Sequence, residues 1–110
     1  MASEPRPANA VLSIIRDTAD DVQDRWIRVW LDGEPQDVLR YGMTWTKEVT
    51  PGHHVVKASN TLSRDTYEFD AAPGEDIRLR CHNAIARGGF LMILMIGVGA
   101  IRVRLERIAA

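Results

Sequence analysis

Apolar and polar residues alternate with a period of two along most of the chain. Residues 25–31 are the clearest case. Ile27, Val29 and Leu31 fall on one side, Trp26, Arg28 and Trp30 on the other. The aliphatic trio is the natural core set, which leaves two tryptophans and an arginine on the opposite face. Residues 10–16 (AVLSIIR) are short and rich in branched side chains and predict a first strand. Residues 44–49 and 53–59 form the next pair. In residues 66–70, Tyr67 and Phe69 point inward and Glu68 outward. In residues 76–82, Ile77, Leu79 and Cys81 point inward and Arg78 and Arg80 outward, so that Glu68 can pair across strands with one of these arginines. Ile101, Val103 and Leu105 alternate with Arg102, Arg104 and Glu106 in a last strand.

Turn chemistry punctuates these runs. Asp32-Gly33 supplies the positive φ angles of a tight hairpin, and Pro51-Gly52 and Pro73-Gly74 have the makings of type II turns. Pro35 cannot sit in a central strand, so residues 34–43 are read as an edge or a loop. Seven or eight short strands, a turn about every ten residues and no helical period predict an all-β fold, an antiparallel sandwich of immunoglobulin-like or prealbumin-like type. Its domain spans residues 10–107 behind a loose tail, residues 1–9. The inward positions Ile27, Val29, Tyr67, Phe69, Leu79 and Val103 are the expected shared core.

One segment breaks the alternation. Residues 90–96 (FLMILMI) are apolar throughout, followed by Gly97 and Gly99. Twelve apolar or glycine residues are too few for a transmembrane helix, which needs roughly twenty. A strand here would turn Leu91, Ile93 and Met95 outward while Phe90, Met92, Leu94 and Ile96 face the core. Such a patch, on the order of a few hundred Å², predicts self-association. Peripheral membrane contact, favoured by Arg87, Arg102 and Arg104 on its borders, is a weaker alternative, and a third is that the run bends at Gly97 and Gly99 and the tail or residues 34–43 fold over it.

Composition places the chain among ordinary globular domains: 110 residues, 45% hydrophobic, 26% charged, net charge −1. That balance hides an asymmetry. Residues 1–77 hold eight Lys and Arg against fourteen Asp and Glu, and residues 78–110 six against one. A single cysteine, Cys81, excludes an internal disulfide, and no signal-peptide pattern opens the sequence; both point to the cytoplasm.

Candidate chemistry is sparse. The aspartates of residues 17–24 (DTADDVQD) lack the order of a calcium loop and read as a solvated connector. His53 and His54 are adjacent on a strand and face opposite sides, so they do not share a metal ion; His54 reads as a turn-flanking residue bonded to backbone. Cys81 has apolar neighbours and reads as an inert buried thiol. No nucleophile elbow or phosphate loop occurs, and no metal or cofactor is expected. Trp26, Arg28 and Trp30 are the best binding candidate, an aromatic pair flanking a guanidinium. The thin spread of arginines argues against nucleic acid.

The segment Arg28-Val29-Trp30-Leu31-Asp32-Gly33, followed by Val49-Thr50-Pro51-Gly52-His53-His54, resembles PEGA-type and carboxypeptidase-regulatory-like bacterial sandwiches over residues 27–58. The resemblance implies a non-catalytic binding or assembly module and carries no catalytic residues. Hydroxyisourate hydrolases share this shape but end in a Tyr-Arg-Gly-Ser motif, and this chain ends Glu-Arg-Ile-Ala-Ala. The function expected from sequence is therefore a non-enzymatic interaction module, self-associating through residues 90–96 as a homo-oligomer or meeting a protein partner. The alternative is a carbohydrate- or small-ligand-binding module using the Trp26/Arg28/Trp30 face.

Overall fold

Each alternating run forms a strand in the computed structural model, which describes residues 8–23, 25–85 and 101–108. The strands are β1 (Ala10–Ile15), β2 (Ile27–Leu31), β3 (Glu34–Leu39), β4 (Thr44–Val49), β5 (Gly52–Ser59), β6 (Arg64–Ala71), β7 (Asp76–Ile85) and β8 (Ile101–Ile108). They build two four-stranded sheets, ordered β4-β1-β7-β8 and β3-β2-β5-β6. The fold is the expected all-β sandwich. Every pairing is antiparallel except β1 with β7, where Leu12 lies beside Ile77 and Ile14 beside Leu79 in parallel register. Turn signals cannot reveal that pairing, because no turn joins the two strands.

The strand parity read from sequence holds. Ile27, Val29, Phe69, Leu79 and Val103 are buried together, and Tyr67 packs partly buried against them. Segment 34–43 divides into an edge strand, β3, and a turn; Pro35 sits in β3 where the sheet ends. Asp32 (φ 51°) and Gly33 (φ 82°) both adopt the left-handed region, as a two-residue hairpin requires between Leu31 and its partner Glu34. The cross-strand pair expected for Glu68 does not form. Glu68 lies in one sheet and Arg78 and Arg80 in the other, so Arg78 binds Asp76 and Arg80 binds Asp17.

Two devices close the sandwich. Along one side, Ser63 Oγ accepts the Val103 N–H at 2.8 Å and Asp65 Oδ2 accepts the Leu105 N–H at 2.8 Å. Side chains beside and within β6 thereby satisfy part of the open edge of β8, a surface that would otherwise invite a foreign strand. At one end, a buried polar network fastens the connection from β1 to β2. Arg16, fully buried, donates from Nε to Asp21 Oδ2 at 2.7 Å and from Nη1 to the Leu39 carbonyl at 2.7 Å. Asp21 Oδ1 accepts the Asn83 N–H at 3.0 Å, and Asn83 Oδ1 accepts from Asn60 Nδ2 at 3.0 Å. The solvated-connector reading of residues 17–24 is corrected here: Asp21 is in the interior, because Arg16 continues the inward parity of β1 and needs a carboxylate.

Candidate functional site

Parity puts Trp26, Arg28 and Trp30 on the outer face of the β3-β2-β5-β6 sheet, since Ile27, Val29 and Leu31 fill the core. Trp26 is 53% exposed. Arg28 is exposed and Trp30 half-buried. Four residues along a strand set the two α-carbons about 13 Å apart. Each ring carries a cation. The Arg40 guanidinium lies 4.3 Å from the Trp26 ring centroid, and the Lys57 ammonium 4.3 Å from that of Trp30. Lys57 stands directly opposite Trp30 in the β2–β5 register, and Ser59 opposite Arg28. Ser59 is in turn opposite Arg64 on β6.

Two recesses flank Arg28. One, of about 540 Å³, is lined by Arg25, Trp26, Arg28, Asn60 and Thr61 with Val22 and Ile101. The other, of about 120 Å³, is lined by Arg28, Trp30, Pro35 and the 36–38 edge. Thr61 holds φ 82°, a strained conformation for a β-branched residue. Asn60 pins it there, its Oδ1 accepting the N–H groups of Leu62 and Ser63. Arg25, Arg28, Arg40, Lys57 and Arg64 have no carboxylate partner among the described residues. The far end of the same face is acidic. There His53 sits 3.2 Å from Asp70 and 3.7 Å from Glu68.

The sequence reading found the three β2 residues but missed the cations over the rings. A two-residue hairpin at Asp32-Gly33, extended without interruption, sets Trp26 opposite Leu39. The register shift between Val29 and Trp30 pairs Ile27 with Leu39 instead, so one rung further Trp26 meets Arg40. Lys57 was equally hidden, because no turn links β2 to β5. The other proposed contact residues, Leu91, Ile93 and Met95, lie outside the described residues.

The remaining candidates have structural positions. His54 Nδ1 is 2.6 Å from Asp32 Oδ2, and Nε2 is 2.6 Å from the Thr50 carbonyl. Both ring nitrogens face acceptors, an arrangement that favours the doubly protonated ring. Burial pulls its pKa down, but the bonds to Asp32 and Thr50 and the Asp32 charge outweigh that and leave it raised. Asp32 mirrors this: burial raises its pKa, and the His54 bond, the Val55 N–H and the nearby histidine charges bring it below the usual value. The backbone-bonded histidine expected from sequence is present, with a carboxylate added. It ties the 32–33 turn to the 50–52 turn. Cys81 is buried, which pushes its thiol up to about 12. Among the described residues, no three His, Cys, Asp or Glu side chains group to hold a metal.

No family model, curated protein or solved structure matches the chain. The assignment of function therefore rests on the geometry of the β2 face.

Proposed function

We propose that this protein is a non-catalytic binding module whose contact surface is the outer face of β2, and that its partner is anionic there. The observation that carries the reading is the pair of cation-capped tryptophans with Arg28 between them. A neutral sugar stacks on uncovered ring faces. Here one face of each indole is already taken, and what reaches solvent beside the rings is positive charge. A guanidinium or ammonium backed by an indole and lacking a carboxylate binds an anion without first breaking an ion pair. The reading thus keeps the ligand-binding alternative and narrows its chemistry.

Absence of catalysis is part of the proposal. It is supported by the chemistry of the two best nucleophile and base candidates: Cys81 is a protonated thiol at neutral pH, and both nitrogens of His54 are engaged. Kinship with PEGA-type domains is likewise proposed, supported by the 32–33 and 50–52 turns that carry the sequence resemblance and meet at His54.

Titration with heparin, a soluble polyanion, tests the reading by tryptophan fluorescence. A saturable change is expected that weakens as salt rises and is reduced by Lys57→Glu or Trp30→Ala. Indifference of the wild type to heparin at low salt would contradict it.

A further inference from the structure

We propose that the anionic partner is a lipid surface, met by the corner of the sandwich where the β2 face reaches the end carrying connections 16–26, 40–43 and 60–63. This rests on the preceding reading of the β2 face and names its partner.

The large apolar side chains exposed among the described residues are Trp26 (53%), Tyr41 (40%), Met43 (36%) and Leu62 (45%). Strand directions put all four at one end. Trp26 precedes β2, Tyr41 and Met43 occupy the turn from β3 to β4, and Leu62 sits in the turn from β5 to β6. The opposite end carries the 32–33, 50–51 and 72–75 turns, where no described large apolar residue is exposed to this degree. Arg25, Arg28, Arg40 and Arg64 border the apolar end, and none is ion-paired among the described residues. Two carboxylates there are neutralised, Asp17 by Arg80 and Asp21 by Arg16. Among the described residues of connection 16–26, Asp20 is the exposed exception.

This combination discriminates among anionic partners. A soluble polyanion rewards the arginines but gains nothing from Met43 or Leu62. A second copy apposed end to end covers the apolar side chains but brings two sets of arginines together. A bilayer with anionic headgroups satisfies both, taking Trp and Tyr at the interfacial level and Arg against the negative surface. Ile85 and Ile101, paired across β7 and β8, also stand at this end.

Co-sedimentation with vesicles of phosphatidylcholine, alone or mixed with phosphatidylserine, tests it, with heparin titration in parallel. The wild type should partition onto the mixed vesicles and not onto phosphatidylcholine alone. Tyr41→Ser combined with Leu62→Ser should weaken partitioning by roughly ten-fold, for two side chains partly withdrawn from the interface. The same variant should bind heparin within about two-fold of wild type, since it keeps every cation. Arg28→Glu should weaken both by roughly twenty-five-fold, because charge reversal counts as two steps of about five-fold each, which multiply. Heparin binding without vesicle binding, or a Tyr41/Leu62 variant that partitions like wild type, overturns the lipid proposal alone. Failure of both probes overturns it together with the β2-face reading. A wild-type dimer in light scattering that the Tyr41/Leu62 variant dissociates, with no vesicle binding, overturns it in favour of a second copy.

Discussion

Replacing Asp21 by alanine should be among the most destabilising single changes in this molecule. The carboxylate takes two bonds from the Arg16 guanidinium, at 2.7 and 3.1 Å, and one from the Asn83 N–H. Neither side chain of the ion pair is accessible to solvent. Without Asp21, Arg16 keeps only the carbonyls of Leu39 and Val22 and is left as a buried, uncompensated cation. Breaking such a pair from one side costs about 3–5 kcal/mol. Against a total of roughly 5–15 kcal/mol for a domain of this size, that is a large fraction. It corresponds to a fall in Tm of about 12–25 °C. Urea unfolding followed by circular dichroism gives the difference directly. A companion, Arg16→Met with Asp21→Ala, removes the stranded charge and should recover part of the loss. Recovery is incomplete, because the Leu39 and Val22 carbonyls and the Asn83 N–H still lack their partners. A loss below about 1 kcal/mol for Asp21→Ala would mean that water reaches Arg16 and that the network does not fasten this end.

Other outcomes follow from the same structure. His54 has a raised folded-state pKa, so its contribution is fully present below the usual 6.5 and is lost as pH rises through the folded value; Asp32, with a lowered pKa, contributes above its usual 3.8 and loses this as pH falls. Melting temperature should therefore be highest in the mildly acidic window between them and decline towards alkaline pH, and His54→Gln should remove most of that decline. Val29→Ala, at a site 1% exposed in the core, should cost about 1–3 kcal/mol in urea unfolding. Asp65→Ala frees the Leu105 N–H on the β8 edge; it should cost about 1–2 kcal/mol and raise the aggregation rate in light scattering. Thr61→Gly relieves a positive φ at the price of a floppier unfolded chain, so its stability in urea should stay within about 1 kcal/mol of wild type.

Much of the fold was written in the alternation. The outward placement of Trp26 and Arg28 and the burial of Ile27, Val29 and Leu79 come from a period of two with turn residues at the breaks, both local features. What the sequence concealed was long-range or depended on a single register step. The parallel β1–β7 pair brings together residues more than sixty positions apart, such as Leu12 and Ile77. The bulge at Val29/Trp30 decides whether Trp26 faces Leu39 or Arg40. The polar network was partly legible after all. Arg16 continues the inward parity of Ala10, Leu12 and Ile14, and Asn83 that of Ile77, Leu79 and Cys81. An inward arginine demands an acid nearby, and the 17–24 connector offered several. Which of them answered depended on how the connection crosses the sandwich end, and local pattern does not encode that path.

The three tryptophans make the central claim directly measurable. Trp26 and Trp30 lie on the outer face of β2, whereas Trp45 is on β4 in the other sheet, packed against the core. Their indole N–H resonances in a ¹⁵N–¹H correlation spectrum report separately on the proposed surface and on an internal control. On addition of heparin at low salt, the Trp26 and Trp30 indole signals should shift along with the backbone amides of β2, and the Trp45 signal should stay in place. Shifts confined to Trp45, or spread evenly over both sheets, would contradict a binding face on β2.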